Sequence, residues 1–279
     1  MLNYQTIEKL AAMKLTAMAG EYRRQLETPA MDALNIEERI AMMVDAEWLD
    51  RDNKRINRLI KEANLSNSGA LFADIDYRPQ RKLDRAYIAR LSDFTWVRDA
   101  KNIIFTGSTG TGKTWLACAF GHEACRKGLR VAFYRVNRLL GEMARADASV
   151  NLFKLLTKLK RADILILDDW GLTTLTPIES RYLLEIFEDR YSRLSTIFSA
   201  QLPVSKWHAL FEDPTVADAV LDRIVHNSHR IELAGASLRA SPDKVKILAA
   251  PCGAQGQKTY SININENTHA PSEGGEVSD

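Results

Sequence analysis

The residues best equipped for chemistry stand together: Gly107, Ser108, Thr109, Gly110, Thr111, Gly112, Lys113 and Thr114. They fit the pattern G-x-x-x-x-G-K-[ST] without a gap. Glycines at that spacing let a backbone curl until successive N–H groups face one anion. Lys113 then supplies a point charge for the outer phosphates and Thr114 a hydroxyl for Mg²⁺. The implied ligand is ATP with Mg²⁺. The flanks agree. Lys101-Asn-Ile-Ile-Phe-Thr106 is a β-branched and aromatic run, and Trp115 to Cys125 has helical composition. A strand, a glycine turn and a helix N-terminus in that order hold an anion, whereas a plain flexible Gly/Thr turn would need neither flank.

A second constellation completes such a site. Ala162-Asp-Ile-Leu-Ile-Leu-Asp168-Asp169 is an apolar run ending in two acids, a buried strand delivering carboxylates at its C-terminal edge. Asp168 is the candidate to hold Mg²⁺, through water, and Asp169 to polarise or orient the attacking water. Many strands end in Asp at a turn, so the acids gain meaning only beside the phosphate loop. Ser195-Thr-Ile-Phe-Ser-Ala-Gln201 is a further strand with a polar end. Ser199 and Gln201 are candidates to touch the γ-phosphate or the water, against an ordinary polar strand end. Arg223 lies just before the last apolar run. It could reach a neighbouring subunit's γ-phosphate as a finger, or form a salt bridge with Asp218 or Asp222 on its own helix.

These residues need a frame, and the periodicity supplies one. The apolar runs Ile103–Phe105, Val131–Tyr134, Ile164–Leu167, Thr196–Phe198 and Arg230–Leu233 alternate with helical patterns. Such alternation predicts an α/β fold with a parallel sheet covered on both faces. Residues 1–65 read as helical, with Ile7, Leu10, Leu15 and Met18 at helix spacing in the first stretch. After Pro29, Asn35 followed by Glu38 marks the capping-box start of a second helix running to about Ala63. Residues 66–100 form a basic lead-in: Ala70 to Tyr77 could be a short strand, and a basic helix runs from Arg81 to Leu91. Residues 101–240 form the core. From 241 to 279 proline, glycine and polar residues give a tail read as disordered.

Composition narrows the class. A chain of 279 residues with 46% hydrophobic content and a net charge of +2 has room for one large core plus a smaller unit. No apolar run spans a bilayer, and Met1-Leu-Asn-Tyr-Gln-Thr carries no basic-then-apolar leader; the expected location is cytoplasmic. Cys118, Cys125 and Cys252 form no metal spacing, and the first two read as buried small hydrophobes.

Positive charge is clustered. Arg51, Lys54, Arg55 and Arg58 share one face of the second helix. Arg78, Arg81, Lys82, Arg85 and Arg90 precede the core. Lys154, Lys158, Lys160 and Arg161 flank the second motif strand, with Arg135 and Arg138 nearby. Clusters of this kind contact phosphates without reading sequence. Equally, they can be solvated faces with i,i+4 pairs such as Glu47–Arg51 and Asp50–Lys54. No base-reading motif is present.

Four stretches go beyond generic phosphate-loop features. These are Ile36-Glu-Glu-Arg-Ile40 with Asp45-Ala-Glu-Trp-Leu-Asp-Arg-Asp-Asn53, Leu165 through Pro177, Gln201-Leu-Pro-Val-Ser-Lys-Trp-His208, and Leu221 through Leu233. On them the chain, over about residues 5–240, resembles the IstB family, the AAA+ ATPase helpers of insertion-sequence transposition related to the helicase loader DnaC. The resemblance implies a five-stranded sheet of order 5-1-4-3-2 behind a small all-helical N-terminal domain. It implies a homo-oligomer whose ATP sites lie between subunits, with Arg223 as the trans-acting finger. It further implies ATP-dependent assembly on double-stranded DNA irrespective of sequence, a cognate transposase as partner, and resetting by hydrolysis. A DnaC-like loader of a replicative helicase is the alternative, against which the Glu-Arg-Ile and Asp-Ala-Glu-Trp stretches weigh. Ser108, Thr109 and Trp115 depart from the usual family residues but remove no phosphate ligand, and Phe198-Ser-Ala-Gln201 differs from the usual Thr-Ser-Gln. No lid pattern follows the fifth strand, so closure would depend on adjacent subunits, with Arg239 a candidate to assist.

Overall fold

The computed structural model describes residues 2–146 and 150–238. The tail from 241, Arg239 and Cys252 lie outside the described residues.

Three helices come first: α1 (Leu2–Ala12), α2 (Thr16–Glu27) and α3 (Ile36–Ala63). The single periodic stretch expected at the start is two helices, because Lys14 turns left-handed at φ 62°. α2 has no side-chain cap of its own. Glu47, buried on α3, takes that role and accepts from the N–H groups of Ala17 (3.0 Å) and Met18 (3.2 Å). The Asn35 capping box forms in both directions: Glu38 N donates to Asn35 Oδ1 and Asn35 N to Glu38 Oε2. Along α3, Ile36, Ile40, Val44 and Trp48 remain 48–73% exposed, an uncovered apolar ridge at i, i+4, i+8 and i+12.

The lead-in differs from expectation. Residues 70–77 hold a 3-10 turn at Phe72–Asp74, not a strand. Arg81 ends a second 3-10 turn, Pro79–Arg81, and the helix α4 (Arg85–Leu91) starts only after Asp84, whose carboxylate caps it. A short helix α5 (Thr95–Arg98) leads into the sheet.

The core runs β1 (Asn102–Gly107), α6 (Lys113–Arg126), β2 (Val131–Arg135), α7 (Val136–Ala146), α8 (Val150–Arg161), β3 (Ile164–Trp170), α9 (Pro177–Arg190), β4 (Ser195–Ala200), α10 (Pro214–Val225) and β5 (Ser228–Leu233). The sheet is parallel, in the order β2-β3-β4-β1-β5. Strand residues alternate between two apolar layers. Ile103, Phe105, Ile164, Ile166 and Ile197 join α3 and α6 on one face. Ile104, Leu165, Leu167 and Phe198 join α7, α9 and α10 on the other.

The strand order explains where a ligand can sit. Right-handed crossovers fix which face each connecting helix covers. The β1-to-β2 crossover runs one way across the sheet through α6; the β2-to-β3, β3-to-β4 and β4-to-β5 crossovers run the other way and place their helices opposite. The connections leaving β1 and β4 therefore part to opposite faces between neighbouring strands, and a crevice opens at their carboxyl ends.

At the opposite, amino edge, Arg190 locks the frame. It is 2% exposed and donates to the carbonyls of Leu159 (2.7 Å), Ala162 (3.0 Å) and Ser195 and to Thr196 Oγ1 (3.1 Å). Burial pulls its pKa down to about 9, with Asp163 working in the other direction, so it remains cationic at neutral pH. Arg190→Met should strand these acceptors and cost about 3 kcal/mol or more of unfolding free energy, read as a lower urea midpoint at unchanged m value.

Candidate nucleotide site

The phosphate loop, Asp168, Asp169 and Gln201 converge on that crevice. β1 ends at Gly107, whose φ of 142° and close approach to Leu233 exclude a side chain: a Cβ there would stand 2.2 Å from the Leu233 carbonyl oxygen. Gly110 is also left-handed, at φ 82°, with Ser237 against it. The loop passes directly into α6, whose first residues are Lys113 and Thr114. Lys113 is buried and its Nζ donates to the Ser108 carbonyl at 2.9 Å, folded across the loop. The Thr111 hydroxyl donates to the same carbonyl at 2.8 Å.

Thr114 Oγ1 donates to Asp168 Oδ1 at 2.7 Å, joining the loop to the end of β3. Asp168 is 1% exposed. A hydroxyl and a carboxylate oxygen this close suit a hard cation that keeps most of its waters. Thr114 and Asp168 would hold Mg²⁺. Asp169 takes a left-handed φ of 60° where the β3–β4 register shifts between Leu167 and Trp170. The irregularity turns consecutive acids in different directions, and Asp169 Oδ2 lies 3.8 Å from Arg135 Nε. Arg135, a candidate for DNA, is thus placed beside the candidate catalytic acid.

β4 contributes unequally. Gln201 Oε1 accepts from Thr109 Oγ1 at 2.8 Å, across the opening between β1 and β4. Ser199 is 2% exposed within β4, in register with Phe105. The loop holds Gln201 at the site, whereas Ser199 is part of the packed sheet.

Arg223 is at the other end of the molecule. Its carbonyl accepts from Asn102 Nδ2 at the start of β1, while the phosphate loop begins where β1 stops, roughly 17 Å away for a six-residue strand. Its guanidinium pairs with Glu188 of α9 and lies over the Tyr191 ring at 6.0 Å. Neither Asp218 nor Asp222 is its partner; His208 and His226 approach those carboxylates. Arg223 cannot serve its own phosphate loop.

One contributor escaped the sequence reading. Arg81, counted there among DNA-facing cations, is buried, with its side chain only 9% exposed. It lies beneath the phosphate loop, where its Nη2 donates to the Thr111 carbonyl at 2.5 Å. Asp76 stands 3.7 Å from it, and burial lowers its pKa while Asp76 raises it. Its own carbonyl accepts from Ala234 N, just past β5, and Leu238 N donates to the Gly110 carbonyl. Nothing in a run of arginines and lysines marks the one that folds inward.

The remaining cations divide. Arg51 binds Glu47, Lys54 binds Asp50, Arg55 lies 3.0 Å from Asp52 and Arg58 3.9 Å from Glu62, so the α3 face carries its own acids. Lys160 pairs with Asp189, and Arg138 is exposed on α7. Lys154, Lys158 and Arg161, with Arg130 bound to Asp163 at 3.2 Å, line a groove of about 510 Å³ beside edge strand β2, with Phe153 and a single lining carboxylate, Glu62. Lys158 also stacks over Tyr134. Cys118 and Cys125 are buried thiols whose pKa values rise through desolvation, Cys125 to about 12.

A parallel sheet of this order, with a phosphate loop after β1 and an acid-tipped β3, defines an AAA+ nucleotide-binding protein. The family profile described as IstB-like ATP binding protein matches residues 8–245, and the chain belongs to that family. It is 42% identical over 239 residues to the insertion sequence ATP-binding protein y4pL of Sinorhizobium fredii, covering 86% of this chain and 97% of that one. It is 40% identical over 205 residues to the ATP-binding protein of insertion sequence IS1162 from Pseudomonas fluorescens, covering 74% and 89%. The crystal structure of DnaI shares the fold, with a TM-score of 0.52 at 20% identity over 64% of this chain and 94% of that one. Among the described residues, no helix is long and apolar enough to cross a membrane.

The glycine geometry has a direct test. Gly107→Ala should weaken ATP binding severely and lower the melting temperature, because both φ and the Leu233 carbonyl oppose a Cβ. Gly141→Ala, inside α7 with nothing within 4 Å of its Cβ, should gain about 0.5–1 kcal/mol in stability and leave ATP titrations unchanged.

Proposed function

We propose that this protein is a DNA-dependent AAA+ ATPase helper of insertion-sequence transposition. It assembles with ATP on duplex DNA irrespective of sequence, presents that DNA to its cognate transposase, and resets when ATP is hydrolysed. The carrying observation is an intact phosphate loop joined to Asp168 in a chain that aligns along 97% of an insertion sequence ATP-binding protein. A helicase-loader role draws support only from the shared fold.

The chemistry divides among this chain's residues. Loop N–H groups and Lys113 bind the β- and γ-phosphates. Thr114 and Asp168 would hold Mg²⁺, which supplies charge neutralisation on those oxygens. Asp169 orients water and takes its proton, with Gln201 on the γ-phosphate side and Ser199 behind it in the packed sheet. Arg223, placed away from its own loop, stabilises transition-state charge in a neighbour's site; doing so means leaving Glu188, a surface pair worth little. Uniform copies that each lend an arginine forward form a heterologous assembly. The α3 ridge supports a separate contact between copies. Paired antiparallel about Val44, the ridges of two copies bring Glu37 of each opposite Arg51 of the other.

Turnover per subunit should therefore rise with protein concentration. Arg223→Ala should bind ATP with wild-type affinity yet lose about 10³-fold in turnover. Mixing it with Lys113→Ala should restore part of the activity, because each variant supplies what the other lacks. Particle size measured alongside should fall for Val44→Glu. Turnover independent of concentration, or an Arg223→Ala protein as active as wild type, would reject the shared site.

The balance of charges favours the groove over the α3 face as the DNA contact. Lys154→Glu with Lys158→Glu should weaken duplex binding on any sequence by at least tenfold and flatten the salt dependence by about two counter-ions. Arg51→Ala with Lys54→Ala should change the slope less, since those cations are already matched. Anisotropy titrations across a salt series measure both.

A further inference from the structure

We infer that Arg81 is a positioning residue for the nucleotide's phosphates: from beneath the loop it fixes the peptide that presents the Gly112 N–H to the anion. The inference rests on nucleotide binding at the phosphate loop and adds a part that no motif supplies. A trans peptide is planar and holds its C=O and N–H antiparallel. Arg81 Nη2 binds the Thr111 carbonyl at 2.5 Å and so holds that oxygen outward. The N–H on the same peptide, that of Gly112, must then point the opposite way, into the concave side. The contact is close: the same nitrogen would stand 3.1 Å from a Cβ on Gly112.

The way Arg81 is held separates this role from a purely structural one. Arg190, a structural arginine, gives all three of its nitrogens to four acceptors. Arg81 is buried with its Nε lacking any partner and with one carboxylate, Asp76, at 3.7 Å. Asp76 is itself committed to Arg78, whose bonds hold its carboxyl down at about 2, so it stays anionic. Burying a cation with so few partners is costly, and the charge lies directly behind the place where phosphate charge accumulates. Its potential favours an anion in the loop, and the preset peptide spares the ligand the work of ordering it. Arg81 also accepts from Ala234 N through its own carbonyl. The lead-in and the chain leaving β5 are thereby fastened to the same point.

A residue that orders a phosphate-binding N–H alike for ground and transition states changes KM, not kcat. The test is titration of full-length wild type, Arg81→Met and Arg81→Lys with a fluorescent ATP analogue and Mg²⁺, alongside KM, kcat and melting without nucleotide. Arg81→Met should weaken binding and raise KM by about tenfold or more, with kcat within about twofold and a melting temperature lowered far less than by Arg190→Met, because one stranded carbonyl is offset by removal of a poorly partnered buried cation. Arg81→Lys, which retains charge and one donor, should recover part of the loss. Wild-type affinity in Arg81→Met overturns the inference, as does a kcat loss at constant KM. If Arg81→Met does not fold, Asp76→Asn takes its place: a smaller rise in KM supports the role and wild-type KM refutes it. Failure of the wild type itself to bind ATP would instead sink the nucleotide reading.

Discussion

A loop that turns its N–H groups inward toward one anion must turn its carbonyls outward. Here the Thr111 carbonyl is buried under Arg81, where an unpaired oxygen is expensive, and the carbonyls of Ser108 and Gly110 find donors too. The phosphate loop is therefore more than a glycine pattern. It needs an outer shell of donors, and the chain provides one: Lys113 and Thr111 to Ser108, Leu238 N to Gly110, and Arg81 to Thr111. Two of these donors come from segments outside the motif, one before β1 and one after β5. The sheet brings both to the place where β1 ends, since β5 is the strand hydrogen-bonded beside it. Strand order and loop geometry are in this sense one constraint.

The frame was legible because its signal is repeated. Buried parallel strands must be apolar on both faces, so each announces itself as a short continuous run. Five such runs with helices between them leave few arrangements. The capping box at Asn35 was readable for a similar reason, because both partners sit within one turn. The phosphate loop, Thr114, Asp168 and Gln201 were readable because contiguity or a strand end fixes where they point.

What stayed hidden depends on distant partners. Glu47 caps α2 from α3, a contact between helices that spacing along one helix does not encode. Arg81 lies in a basic stretch and reads like its neighbours until the turn at Pro79–Arg81 folds it under the loop. Phe72 sits in an alternating segment that would suit a strand, but its ring packs against Phe120 of α6 at 4.7 Å, which favours a compact turn over an extended edge. Arg223 has two acids on its own helix and pairs with neither, since Glu188 on the adjacent helix offers the better geometry. Each miss is a side chain whose environment is set by tertiary contact, which local pattern does not encode.

The placement of Arg223 has an energetic consequence for the proposed cycle. A subunit that carried its finger beside its own phosphates would hydrolyse ATP whenever ATP bound, and an assembly on DNA could not outlast the first turnover. Putting the arginine and the loop on opposite edges of the sheet separates binding from cleavage. In the proposed cycle nucleotide would fill every loop in isolated copies, while cleavage would wait for a neighbour. The Glu188 pair sharpens this separation at small cost. An exposed ion pair is worth at most about 1 kcal/mol, enough to keep an idle guanidinium ordered against α9 yet weak beside the charge of a γ-phosphate in a closed interface. On the proposed cycle, contact between copies, not nucleotide concentration, would set when cleavage starts.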